Sequence, residues 1–206
     1  MLNRESVIPA RVLIGVTGAS GAVYADRLLE ILAEKIERVY LVVTNAGEKV
    51  VKHELSAESL LLRSLSGSLG KLEKGVIRTF GVDDLFAPCA SGTSAPDAMV
   101  VTPCSMGTLS RIASGNSGNL LERSADVVLK QRRKLLICPR ETPLNLIHLR
   151  NMTALVEAGA EMIPMMPGFY QKPKDINALV DFCVGKILEQ LSIPHDLYKP
   201  WNSRMR

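Results

Sequence analysis

RVLIGVTGASGAVY, residues 11–24, decides the fold. An apolar run, Val12 to Val16, passes at once into Thr17-Gly18-Ala19-Ser20-Gly21 and then into an amphipathic segment. That order predicts a buried parallel strand, a tight turn and a helix N-terminus. Glycine relaxes the backbone limits at such a turn, the first helical N–H groups lack intrahelical partners, and the helix dipole is positive there. A phosphate suits the position, although any α/β protein also needs strand-to-helix turns that bind nothing. A dinucleotide fingerprint would read GxGxxG, with a carboxylate roughly 20 residues on to hold a ribose. Here the glycines are Gly15, Gly18 and Gly21, and the next apolar run, Val39 to Val43, ends in Thr44-Asn45. A mononucleotide with one phosphate therefore fits better than NAD.

Beyond the turn, Ala25, Leu28, Leu29, Leu32 and Ile36 recur at three and four, the stripe of a helix lying on a sheet. Asn45 is read as the cap of a helix to about His53, with Glu54 at its far end, and residues 57–65 as a further helix before a Gly- and Ser-rich turn at 66–70. Strands are expected at 76–80, 98–102, 135–138 and 162–165, with a loop at 88–96. Helices are expected from about Leu109, over 120–132, from a Thr142-Pro143 cap to about Ala158, and over 176–191. This alternation predicts a single α/β domain: a doubly wound, mostly parallel sheet flanked by helices, Rossmann-like, over 11–191. Residues 1–10 read as a flexible leader and 192–206 as a tail resting on a neighbouring subunit. Ligands of such sheets bind outside the carboxyl ends of the strands, which here carry 17–21, Thr44, 105–108, Arg140-Glu141 and 168–170. The candidate residues are thus expected along one edge.

Composition narrows the classes. The 206 residues suit one domain with a large core, and 47 % apolar with 4 % aromatic content suits aliphatic parallel strands. A net charge of +4, without a dense basic patch interleaved with aromatics, argues against nucleic acid. Cys89, Cys104, Cys138 and Cys183 stand far apart and form no CxxC, so neither zinc nor a disulfide framework is indicated. No apolar run approaches the roughly 20 residues of a membrane span, and a cytoplasmic protein with reduced thiols is expected.

Arg123 and Lys130, seven apart on one helix, share a face, where Lys130 could simply pair with Asp126. Arg140-Glu141 follows a strand directly, so both side chains are expected in the cleft: the Arg can fork onto phosphate and the Glu can exchange a proton with it, unless the two merely pair.

Together these blocks resemble the flavin prenyltransferases of the UbiX and Pad1 type. The matching text is TGASG at 17–21, HE at 53–54, ASGTSAPDAMV at 90–100, PCSMGTLSRIASG at 103–115, NLLERSADVVLKQRR at 119–133, PRETPLNLIHLRNM at 139–152 and PGFYQKP at 167–173. The resemblance implies that reduced FMN and dimethylallyl monophosphate are joined into prenylated FMN, the cofactor of a UbiD-type decarboxylase. It implies FMN contacts from Gly18, Ala19, Ser20, Thr44, Ser105, Met106, Gly107, Thr108 and Arg140. The allylic phosphate would be held by Tyr170 and Lys186, with Ser91, Arg123, Lys130 and Glu141 close by. Lys186 stands where many relatives have Arg, which keeps the charge but loses the bidentate fork.

Ionising an allylic phosphate leaves a carbocation and a phosphate anion, so cations must gather at the leaving group, without need of a metal. Glu141 would protonate the departing phosphate, Glu54 and Ser20 would handle flavin protons, and Trp201 would shield the cation. His53 reads better as a helix-end residue than as a catalyst. The resemblance also implies a homo-oligomer, a dodecamer, with sites at subunit junctions. An FMN-dependent decarboxylase acting directly on an aromatic acid or a peptidyl cysteine, and a non-catalytic flavin-storage subunit, are the competing readings.

Overall fold

A computed structural model describes residues 7–199. Six strands, β1 (Arg11–Val16), β2 (Arg38–Val43), β3 (Ile77–Phe80), β4 (Ala98–Cys104), β5 (Lys134–Pro139) and β6 (Glu161–Met162), form one sheet in the order β3-β2-β1-β4-β5-β6. Every pairing is parallel. The order reverses between β1 and β4, the switch point at which doubly wound sheets open a crevice. Strands β1 and β4 are buried on both faces apart from Arg11, which is why they read as unbroken apolar runs.

The helices are α1 (Ala22–Lys35), α2 (Asn45–Glu54), α3 (Leu60–Leu65), α4 (Lys71–Val76), α5 (Met106–Ala113), α6 (Leu120–Lys130), α7 (Leu146–Glu157) and α8 (Ile176–Gln190). Helices α1, α3 and α8 bury Leu28, Leu29, Leu61 and Val184 against Ile14, Val16 and Val39 on one face of the sheet. Helices α5, α6 and α7 bury Leu109, Leu121 and Leu155 against Leu13, Met99 and Val101 on the other.

Several boundaries differ from the sequence reading, each for a local reason. Thr44, not Asn45, caps α2: its hydroxyl accepts the Gly47 N–H at 3.1 Å. Helix α5 starts at Met106 rather than Leu109 because the Ser105 hydroxyl caps it; Gly107 and Thr108 are poor helix formers and mask that start. Asn145, not Thr142-Pro143, caps α7, its side chain accepting the His148 N–H at 2.9 Å, and the Thr142–Pro143 bond is cis. The expected 57–65 helix begins at Leu60, capped by Ser59, and α4 was not anticipated at all. The last strand is two residues, 161–162.

At the amino end, Ala10 already accepts the Arg38 N–H at 3.1 Å, so the expected leader joins the sheet before residue 11. At the other end, Ile193 is buried and Leu197 packs on the core of its own chain, so the tail begins against its own subunit. Trp201 lies outside the described residues.

Candidate active site at the carboxyl edge of the sheet

Three helices begin where β1, β2 and β4 end, so three helix N-termini meet beside the switch point. Thr17 ties two of these ends together. Its hydroxyl donates to the Pro103 carbonyl at 2.8 Å and accepts the Ser105 N–H at 2.7 Å. Arg140, just after β5, extends across β4 so that its Nε donates to the Ser20 carbonyl at 3.0 Å. Backbone packing is tight here: a side chain on Gly18 would meet the Ala46 methyl at 2.7 Å, so the β1–α1 turn and the start of α2 touch.

The α1 N-terminus is already occupied. Glu54 Oε2 accepts the N–H groups of Gly21 at 2.9 Å and Ala22 at 2.8 Å. Two of the N–H groups expected to meet a phosphate at that terminus are therefore already bonded to a carboxylate. Burial opposes ionisation of Glu54, but bonds from the Ser20 hydroxyl and the Gly21 and Ala22 N–H groups, with the charge of Arg140, hold its carboxyl below the usual value. It is ionised at neutral pH, and the bonds that lower its pKa make it a weaker base than a free carboxylate.

A folded-state pKa below the unfolded value adds stability that is complete above the ordinary carboxylate range and disappears as pH falls through the lowered value. Glu54→Gln should therefore cost about 1 kcal/mol at neutral pH, the usual worth of a helix cap. It should also flatten the loss of melting temperature on acidification below about pH 4. Thermal melts of both proteins across that range check this, and parallel curves would remove Glu54 from the acid transition.

A hydroxyl chain extends the site to one side. Ser105 Oγ bonds Thr108 Oγ1 at 3.2 Å, and Arg111 Nη2 donates to the same Thr108 oxygen at 3.2 Å while its Nε binds the buried Glu122. Sequence reading placed Thr17 at this edge but missed Arg111 and Glu122. The last two are eleven residues apart on different helices, a spacing without periodic signal. Met106 and Thr108 are buried, and Gly18, Ser20 and Gly107 are exposed, so the edge offers backbone and hydroxyl groups over an apolar floor.

The remaining predicted residues do not join this cluster within one chain, which corrects the expectation of a single edge. The Leu120 N–H donates to the Val82 carbonyl just beyond β3, and α6 ends shortly before β5 begins, so α6 runs back to the amino edge with Lys130 exposed in its last turn. Lys130 makes no pair with Asp126; Arg123 takes that carboxylate at 3.0 Å and donates to the Ala90 carbonyl beside Ser91 at 3.2 Å. Ser91 is exposed and bonds Thr93.

Glu141 is exposed and accepts the N–H of its own neighbour Thr142 at 3.0 Å, so it is not paired with Arg140. His53 sits exposed in the last turn of α2, as a helix-end residue should. Lys186 lies on α8, on the opposite face of the sheet from α6. It pairs with Glu189 at 2.9 Å and rests on the rings of Phe182 and Tyr198. Tyr170 packs edge-on to Phe182 at 5.8 Å, so Tyr170 and Lys186 do share one patch. Desolvation opposes the Lys186 charge, but Tyr198 and Glu189 outweigh it and hold the amine well above its usual pKa.

The four cysteines are free and buried. Desolvation pushes Cys104 up to about 12 and Cys183 up to about 11, so no thiolate is available as a nucleophile. Among the described residues, no cluster of three or more His, Cys, Asp or Glu is set to hold a metal. The donor set fits FMN: hydroxyls, helix N-termini and one guanidinium for its phosphate, with apolar surface for its ring.

A family profile described as Flavoprotein matches residues 3–190. Flavin prenyltransferase UbiX of Halalkalibacterium halodurans is 49 % identical over 188 residues, 91 % of each chain. The solved structure of AnUbiX (PadA1) in complex with FMN and dimethylallyl pyrophosphate is similar at TM-score 0.84 and 35 % identity, over 94 % of this chain and 97 % of that one. A dodecameric FMN-dependent Ubix-like decarboxylase from Escherichia coli O157:H7 matches at TM-score 0.84 and 34 % identity, over 94 % and 100 % of the two chains. This chain belongs to the flavoprotein family and, within it, to the UbiX flavin prenyltransferases.

Proposed function

We propose that the protein joins a dimethylallyl group, delivered as its monophosphate, to reduced FMN, and hands the prenylated FMN to a UbiD-type decarboxylase. The observation that carries the reading is the carboxyl edge itself. Three helix N-termini, the Ser20, Thr44, Ser105 and Thr108 hydroxyls and Arg140 converge at the switch point of a chain whose relatives are named for this reaction.

Reduced FMN supplies an electron-rich ring to be alkylated. Gly18, Ala19, Ser20, Thr44, Ser105 to Thr108 and Arg140 would bind and orient it. Glu54, ionised and pinned beside Ser20, would accept a proton there. Lys130, Arg123, Lys186 and Tyr170 would stabilise the leaving phosphate, with Glu141 protonating it and Ser91 nearby.

These phosphate ligands lie on opposite faces of one sheet, so a complete site needs more than one copy of the chain. We therefore assign a homo-oligomer, a dodecamer as in the Escherichia coli relative, with sites at subunit junctions. Exposed Leu146, Ile147, Leu149 and Phe169 provide apolar surface for such contacts. Among the described residues, no helix is long and apolar enough to cross a membrane, and we place the protein in the cytoplasm. Direct decarboxylation, the activity for which the Escherichia coli relative is named, leaves Lys130, Lys186 and Tyr170 without a role.

The test is to incubate the protein anaerobically with reduced FMN and dimethylallyl monophosphate and weigh the extracted flavin. The expected result is a flavin heavier by one five-carbon unit. Recovery of unaltered FMN, with carbon dioxide released from an aromatic acid instead, would favour the decarboxylase.

A further inference from the structure

At the amino edge of the sheet, away from the β1–α1 turn, a cavity of about 300 Å³ is lined by Arg11, Glu37, Arg38, Tyr40 and Arg78. Strand register puts the four residues other than Glu37 together. Arg11 pairs with Arg38 across β1 and β2, and Tyr40 pairs with Arg78 across β2 and β3. Arg38 and Tyr40 are two residues apart on one strand, so all four side chains leave the same face.

Parallel strands lie about 4.8 Å apart, and like charges placed opposite one another at that spacing repel. The protein relieves this repulsion at Arg11 and less at the other two arginines. Asp97 accepts from Arg11 at 3.1 Å, and the Arg78 guanidinium stacks over the Phe80 ring at 4.8 Å. Among the described residues, neither Arg38 nor Arg78 has a carboxylate within ion-pair distance, and the Glu37 carboxylate makes no ion pair. Two guanidinium groups without a carboxylate, those of Arg38 and Arg78, beside Arg11 already held by Asp97 and a phenol, form a donor set open to an anion, with the exposed Glu37 carboxylate also in the lining.

We propose that this cavity is an anion site for a phosphate-bearing small molecule. A tetrahedral phosphoryl group offers oxygen edges to several guanidinium forks at once, whereas a planar carboxylate has two oxygens and suits one or two. The cavity lies at the edge opposite the β1–α1 turn and would hold a separate anionic ligand.

The probe is inorganic phosphate, titrated calorimetrically into the FMN-saturated protein at about 0.15 M chloride, where surface charge alone is screened beyond roughly 8 Å. With the prenyl-phosphate site disabled by Lys186→Ala in every protein titrated, one phosphate should bind per chain. Arg38→Ala should weaken it about tenfold or more, the worth of a charge-assisted hydrogen bond, and acetate should bind similarly worse. Arg38→Lys, which keeps the charge and loses the fork, should fall between.

Melting temperatures add a sign that a bracing role would not give. In phosphate-free buffer Arg38→Ala should melt higher than wild type, because repulsion is relieved, and phosphate should raise only the wild type. If Arg38→Ala proves unstable, Arg78→Ala takes its place with the same expected loss of affinity. Absence of phosphate heat, wild-type affinity in the Arg38 and Arg78 variants, or loss of binding in Arg140→Ala at the other edge would each overturn the proposal.

Discussion

Lys130→Ala and Lys186→Ala proteins, each nearly inactive alone, should regain prenyl transfer when their subunits are mixed. A preorganised cation in a water-poor cleft is worth roughly 3 kcal/mol at the transition state, so each variant should lose about a hundredfold in rate. FMN binding, which we assign to the turn at 17–21 and to Arg140, should hardly change. Lys130 ends α6 on one face of the sheet, and Lys186 projects from α8 on the other, so the two meet at one phosphate only if different copies supply them.

In a co-refolded mixture of equal parts, about a quarter of junctions would carry both lysines, and activity should rise to that share of wild type. Lys186→Arg should be tolerated, since Arg keeps the charge and can still lie on the Phe182 and Tyr198 rings. Steady-state prenylation followed by absorbance measures all three. A mixture no more active than its parents, or a fully active monomer on a sizing column, would show that the lysines do not work across a junction.

That split was not legible in the sequence, and the reason is geometric. The strand-to-turn runs at 12–21 and 98–108 are local patterns, and they led directly to a parallel sheet, which the structure contains, and to its carboxyl edge as the place for a ligand. A helix running from the carboxyl edge back to the amino edge carries residues seven apart, such as Arg123 and Lys130, from one end of the sheet toward the other. Periodicity reports the face that such residues share and is silent about depth. The same limit hid the Glu54 cap, whose partners lie 32 and 33 residues away in sequence. Glu54 is read as a site residue only through the resemblance, and its bonds occupy two N–H groups of the α1 N-terminus. Boundaries were misjudged where two good caps compete, as at Thr44 and Asn45, because either side chain satisfies the same orphan N–H groups.

The tightest contact at the site yields the second large effect. Gly18→Ala should weaken FMN binding sharply, and the paired change Ala46→Gly should restore it. A methyl on Gly18 would stand 2.7 Å from the Ala46 Cβ, while the next nearest atoms lie at 3.6 Å or more, so the clash is with one side chain. Overpacking of this kind costs about 1 to 3 kcal/mol, and the strain falls on the turn that presents Ala19 and Ser20, so the FMN dissociation constant should rise roughly tenfold to a hundredfold. Moving the methyl from one backbone to the other keeps the volume between the β1–α1 turn and α2 constant, and the two substitutions should couple by most of the single-mutant loss. Gly47 supplies the contrast. A methyl there would meet the Val16 carbonyl oxygen at 2.8 Å and the Val43 side chain at 3.1 Å, and the carbonyl belongs to the strand that starts the turn. Gly47→Ala should therefore lose FMN binding and lower the melting temperature, with no side-chain deletion able to rescue it. Fluorescence titration of FMN into the two single variants, the double variant and Gly47→Ala decides the matter: a double variant as weak as Gly18→Ala would mean that Gly18 is needed for contact with the flavin itself rather than for the approach of the two backbones.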